Sequence, residues 1–83
     1  MHQIQVSFQG FGEIQPLLIQ PSSVIVAINS TVEVILSELL KQQPHLTAAL
    51  ERCACAVGDE MLLRDATLDH DCTLVLLSPV AGG

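Results

Sequence analysis

One segment restricts what this 83-residue chain can fold into. Ser30-Thr31-Val32-Glu33 has the form of a capping box, with Ser30 as N-cap and Glu33 reaching back from the third helical position. Val32, Ile35, Leu36, Leu39 and Leu40 then recur at helical spacing as one apolar stripe, and Pro44 stops the run. A helix with a single apolar stripe needs a second layer to cover it, and the flanking sequence supplies strands. Gln3-Ile4-Gln5-Val6-Ser7-Phe8 alternates strictly, so Ile4, Val6 and Phe8 face a core, and Gly10 and Gly12 read as the strand's end. Residues 24–28 are apolar and mostly β-branched, a second strand. Residues 53–57 and 61–63 read as strands about a turn at Gly58-Asp59. Residues 73–77 form the last strand, after a turn at Asp69-His70-Asp71. Pro16 and Pro21 restrict residues 13–23 to an edge or a short piece of strand. Residues 45–52 allow one more helical turn, with Leu46, Ala49 and Leu50 on one side. This order predicts an α+β domain, a small sheet packed on one main helix.

Composition narrows the function classes. The chain is 49% hydrophobic and 14% charged, the balance of a globular domain. Phe8 and Phe11 are the only aromatic residues, so Val, Ile, Leu and Ala must build the core. The net charge is -6, with Lys41, Arg52 and Arg64 as the fixed positive charges, which argues against nucleic acid as a partner. An acidic body favours a protein partner with a basic docking surface. No apolar run approaches bilayer length, and residues 1–8 alternate instead of forming a signal-like apolar core, so neither membrane insertion nor targeting is expected. Three cysteines without a signal peptide point to a reducing cytoplasm.

The chemistry-bearing side chains have ordinary readings. Cys53-Ala54-Cys55 and the distant Cys72 lack the four ligands and the spacing of a structural zinc site, and free cysteine packs as a small hydrophobe, so no metal site is expected. His2, His45 and His70 have no partner at ligand or triad spacing. Asp69 and Asp71 suit a turn better than a calcium loop, which needs more oxygens and a fixed glycine.

The end of the sequence is different in design. Pro79 offers no N–H for a central strand, and after it come Val80, Ala81, Gly82 and Gly83. A Gly-Gly end lacks Cβ atoms, so it can pass a narrow channel and bring its carboxylate close to another backbone. If Leu74 and Leu76 face the core, alternation turns Val75 and Leu77 outward.

The element order, the length and the Pro79-Val80-Ala81-Gly82-Gly83 end together resemble the small subunit of molybdopterin synthase, the MoaD-like proteins of the MoaD/ThiS carrier type. Ser30-Thr31-Val32-Glu33 resembles that family's helix start, Ala56-Val57-Gly58-Asp59-Glu60 its middle hairpin, and residues 68–83 its last turn, strand and tail. Three departures are Phe8-Gln9-Gly10-Phe11-Gly12-Glu13, which lacks an arginine usual there, Ser78, where a second proline is common, and Gly58, at a turn position that is often asparagine. The resemblance implies a ubiquitin-like β-grasp domain over residues 1–77, its first and last strands adjacent and parallel, and a flexible Gly-Gly tail over 78–83.

It also implies a sulfur carrier of molybdenum cofactor biosynthesis. A MoeB-like activating enzyme would use ATP-Mg to adenylate the Gly83 carboxylate, and a sulfur donor would convert it to a thiocarboxylate. Pro79, Val80, Ala81 and Gly82 would insert into a MoaE-like large synthase subunit, where the sulfur passes to the cyclic pyranopterin precursor. The carrier would bind no cofactor of its own, and the catalytic groups other than the Gly83 terminus would belong to its partners. Met61 matches a family docking position, so Met61, Val75 and Leu77 are the expected partner-binding patch, with Val80 anchoring the tail. The alternatives are a carrier for thiamin thiazole or another thio-transfer pathway, a ubiquitin-like interaction module with an inert terminus, and a small thiol-dependent metal or redox protein.

Overall fold

The computed structural model describes residues 2–79. The elements in chain order are β1 (Gln3–Phe11), β2 (Ser23–Ala27), β3 (Ser30–Thr31), α1 (Val32–Gln42), α2 (Thr47–Glu51), β4 (Ala54–Val57), β5 (Glu60–Leu62), β6 (Thr67–Leu68) and β7 (Cys72–Leu77), with 3₁₀ turns at Gly12–Ile14 and Pro44–Leu46. Five strands form one mixed sheet in the order β2-β1-β7-β4-β5, and β3 pairs with β6 in a separate two-residue ladder. β1 and β7 lie side by side and parallel, as the resemblance implied, while the other pairs in the sheet are antiparallel.

Period-2 alternation decides which side of the sheet is dry. Ile4, Val6 and Phe8 of β1, Val24 and Val26 of β2, Cys55 of β4 and Leu74 and Leu76 of β7 all enter the core. The helical stripe Val32, Ile35, Leu36 and Leu39 meets them, with Leu40 half-buried at its margin. Each fully buried aliphatic side chain of this kind contributes about 1.5–3 kcal/mol. Leu46, Ala49 and Leu50 close the core from the second helical segment, as their spacing predicts.

Three local features differ from the sequence reading. β1 does not end at Gly10: it continues to Phe11, because Gly10 and Phe11 pair with Leu76 and Leu77 of β7. A side chain at Gly10 would press on Ile14 Cγ2, so the missing Cβ lets the next segment fold back over the strand. The helix N-cap is Thr31, whose Oγ1 accepts from Val34 N at 3.2 Å, and Ser30 instead donates its hydroxyl to Ala27 O. No capping box is needed, because Val32 N and Glu33 N donate to the carbonyls of Ala66 and Arg64. The third difference lies between β1 and β2, where no strand forms but two side chains are core: Ile14 is fully buried and Leu18 nearly so. Leu17 N and Leu18 N both donate to Ile14 O, and the buried Gln43 amide bonds both Ile19 N and Ile19 O. An irregular segment is thus pinned by its own carbonyls and by the end of α1.

The hairpin at the other edge follows its turn residues. Gly58 takes φ +59° while Asp59 stays in the ordinary range, the pattern of a II′ turn with glycine first. Ile14→Ala should destabilise the protein by about 2–5 kcal/mol in urea unfolding, whereas Ile19→Ala, at a side chain 61% exposed, should cost less than about 0.5 kcal/mol.

Candidate functional site

The strand pairings assemble an apolar surface on the side of the sheet away from α1. Val75 is opposite Ala56 and Gln9, and Ala56 is opposite Met61, so Met61, Ala56, Val75 and Gln9 form one row across four strands. The next row toward the chain end holds Phe11, Leu77 and Ala54. At the usual strand spacing a four-strand row spans roughly 15 Å. Met61 is 60% exposed, Val75 and Leu77 are half-buried, and Ala56 is covered by its neighbours although it is not part of the core. Leu63, just beyond β5, extends this side and with Met61 and Ala54 borders a hollow of about 270 Å³. The other end of the same face is mostly polar, with Gln3, Gln5, Ser7, Ser23 and Thr73, although Ile25, opposite Gln5, is exposed among them. The larger apolar area, with Phe11, Val75, Leu77 and Met61, sits at the end where the chain leaves the sheet.

That exit is built from the residues after each central strand. Ser78 N donates to Phe11 O at 3.0 Å, one step beyond the parallel ladder. The Ser78 hydroxyl donates to the same oxygen at 3.0 Å and accepts from Ile14 N at 2.8 Å. Glu13 N donates to Pro79 O at 3.0 Å. Gly12, at φ +81°, lets the two segments touch, since a Cβ there would lie inside the Ser78 carbonyl oxygen. Glu13 is further tied to Arg52 by an ion pair of 3.1 Å.

The expected patch residues Met61, Val75 and Leu77 thus occupy one face, and Pro79 stands at its margin. Val80, Ala81, Gly82 and Gly83 lie outside the described residues. Sequence reasoning missed Ser78, Gly12, Phe11, Ala54, Ala56 and Leu63. Carrying the β1 alternation through Gly10 would have put Phe11 on the outer face; Ser78 and Gly12 carried no comparable signal.

The three fixed cations are engaged within the chain. Lys41 pairs with Glu38 at 2.7 Å, Arg52 with Glu13, and Arg64 donates to the carbonyls of Leu50 and Cys53, both at 2.8 Å. Glu60, which pairs with Val57, alternates to the opposite face from Met61, and Asp59 lies in the turn before it. Among the described residues no three His, Cys, Asp or Glu side chains gather as a metal site would require, and no helix is long and apolar enough to cross a membrane. His70 hydrogen-bonds Asp69 at 2.7 Å and thereby holds the Asp69 carboxyl below its usual range, and Asp71 accepts from Gln5 N at 2.8 Å.

A mixed sheet with its parallel pair at the centre, one helix across it and a chain end strapped beside an apolar face define a ubiquitin-like β-grasp protein. The chain belongs to the ThiS family, whose model matches residues 10–83. Its fold is that of SAMP1 from Haloferax volcanii, with a TM-score of 0.75 at 18% identity over 95% of this chain and 99% of that one. A second structure of this small archaeal modifier protein 1 gives 0.72 at 16% identity, over 93% and 99%. The complex of subunits 1 and 2 of the molybdopterin-converting factor from Helicobacter pylori contains a chain similar at 25% identity, with a TM-score of 0.60 over 95% and 99%. No curated protein sequence matches.

Burial, foremost, pushes the thiols of Cys53, Cys55 and Cys72 above the usual value of 9.0, and the nearby Asp71 and Asp69 add to the effect at Cys72. The native state thus holds these protons more tightly than the unfolded chain. The associated stability is full below pH 9.0 and is lost as pH rises through the native values. Urea midpoints in reductant should fall above that pH, and the fall should be smaller in a variant with alanine at all three cysteines.

Proposed function

We propose that this protein carries sulfur as a thiocarboxylate on Gly83 and delivers it for molybdopterin assembly. The carrying observation is the strapped exit: the last described residue, Pro79, is held at the margin of the apolar face. Four residues span at most about 14 Å, so a partner that acts on Gly83 must dock against the surface beside Pro79. The available surface there is Phe11, Leu77, Val75 and Met61. The family match runs through Gly83, and the similarity to a chain of the two-subunit molybdopterin-converting factor favours a large synthase subunit as partner.

The chemistry runs through partners. An activating enzyme uses ATP-Mg to join AMP to the Gly83 carboxylate with loss of pyrophosphate. A sulfur donor then replaces AMP at the acyl carbon, leaving a thiocarboxylate. Inside the large subunit that sulfur passes to the cyclic pyranopterin precursor, and two such transfers complete a dithiolene. The negative body, net -6, steers the carrier toward basic surfaces on both partners. The cytoplasm suits the three free thiols. A second reading, a carrier for thiamin thiazole, is favoured by the match to the ThiS model. Dithiolene formation with the large subunit and precursor separates the two.

The test is intact-protein mass spectrometry after incubation with the activating enzyme, ATP-Mg and a sulfur donor. The expected outcome is a mass gain of one oxygen exchanged for sulfur, absent when Gly83 is deleted. An unmodified, folded carrier with a demonstrably active enzyme would instead support an inert interaction module. Met61→Asp, at an exposed position, should weaken association with the large subunit by about tenfold or more in calorimetry, with no loss of thermal stability.

A further inference from the structure

We propose that Ser78 is a positioning residue, and that its hydroxyl with Gly12 forms a clasp that sets the direction in which the reactive terminus leaves the domain. The inference rests on the thiocarboxylate reading above and adds to it a device within this chain.

The Ser78 hydroxyl has one proton and is used in both senses, giving to Phe11 O and receiving from Ile14 N. Its two partners belong to opposite ends of the turn that follows β1, so one side chain ties β7 to both ends of that turn. The backbone doubles the tie through Ser78 N to Phe11 O and Glu13 N to Pro79 O. The platform is rigid for independent reasons. Ile14 is fully buried, Gln15 N closes the 3₁₀ turn on Gly12 O, and Glu13 is paired with Arg52. Gly12 completes the fit, because any side chain there would strike the Ser78 carbonyl.

Chain ends ordinarily fray, and the backbone entropy lost on fixing two residues opposes such an arrangement. A clasp that holds Ser78 and Pro79 in advance removes that cost from partner binding. With the hydroxyl gone, only part of the population has the exit in the competent direction, and apparent affinity falls by that fraction. Once the terminus is seated the acyl chemistry is unchanged. The loss therefore falls on KM for the carrier and not on kcat.

The experiment measures activation kinetics by thiocarboxylate mass spectrometry for the wild-type protein, Ser78→Ala and Ser78→Thr. Ser78→Ala should raise KM roughly five- to tenfold with kcat within about twofold, and Ser78→Thr, which keeps the hydroxyl, should restore KM to within about twofold. The Ile14 amide should exchange faster in Ser78→Ala, and the variant should stay folded with a melting temperature lowered by about 4–8 °C. A reactive wild type with an unchanged KM in Ser78→Ala overturns the clasp and leaves the carrier reading standing. So does a KM lost equally in Ser78→Thr. A wild type that is never modified overturns the carrier reading, and the clasp's role with it.

Discussion

The rest of the molecule depends on the parallel pairing of β1 with β7. Two parallel strands cannot be joined by a tight turn, so everything between them must serve as the crossover. Here the crossover includes β2, α1, α2 and the β4–β5 hairpin, which together cover one face of the sheet and extend both its edges. Because the pair is central, Val6, Leu74 and Leu76 are shielded from water completely. Because it is parallel, the end of β1 and the end of β7 arrive at the same place. The turn at Gly12–Ile14 and the departing chain at Ser78 are neighbours for that reason alone, although more than sixty positions separate them in sequence.

The two faces of the sheet then divide the work. One is dry, filled by aliphatic side chains with Phe8 and the thiol of Cys55 among them. The other carries glutamine and serine with Ile25 among them at one end, and Phe11, Leu77, Val75 and Met61 toward the exit. An apolar area beside an otherwise acidic surface, whose cations are all spoken for internally, gives a partner both a charge to follow and a place to settle. The cysteines serve as small apolar groups, since burial favours their neutral form.

Much of this was legible from the residues. Strict alternation located Ile4, Val6 and Phe8, helical spacing located Val32 through Leu39, and Gly58-Asp59 located the hairpin. The same alternation in β7 separated Leu74 and Leu76 from Val75 and Leu77. The misses share a physical cause. Gly10 has no side chain to register an alternation, so the strand's continuation depended on its pairing with Leu76. Ser30 and Thr31 are equally good caps locally, and the choice was made by distant carbonyls at Arg64 and Ala66. Ile14 and Leu18 sit in a segment without period, where only the tertiary structure decides burial. The Ser78 hydroxyl finds partners 64 and 67 positions away, beyond any pattern a window along the chain can detect.

The register of the central pair also governs how the domain bears load. A pull on the chain beyond Ser78 acts along the axis of β7, while the start of β1 lies at the opposite end. Six residue pairs, from Val6 with Cys72 to Phe11 with Leu77, then resist sliding together and share the force, instead of parting one after another as in an unzipped hairpin. Mechanical work applied at that end is thus borne by the middle of the sheet, where the buried strands are paired on both sides.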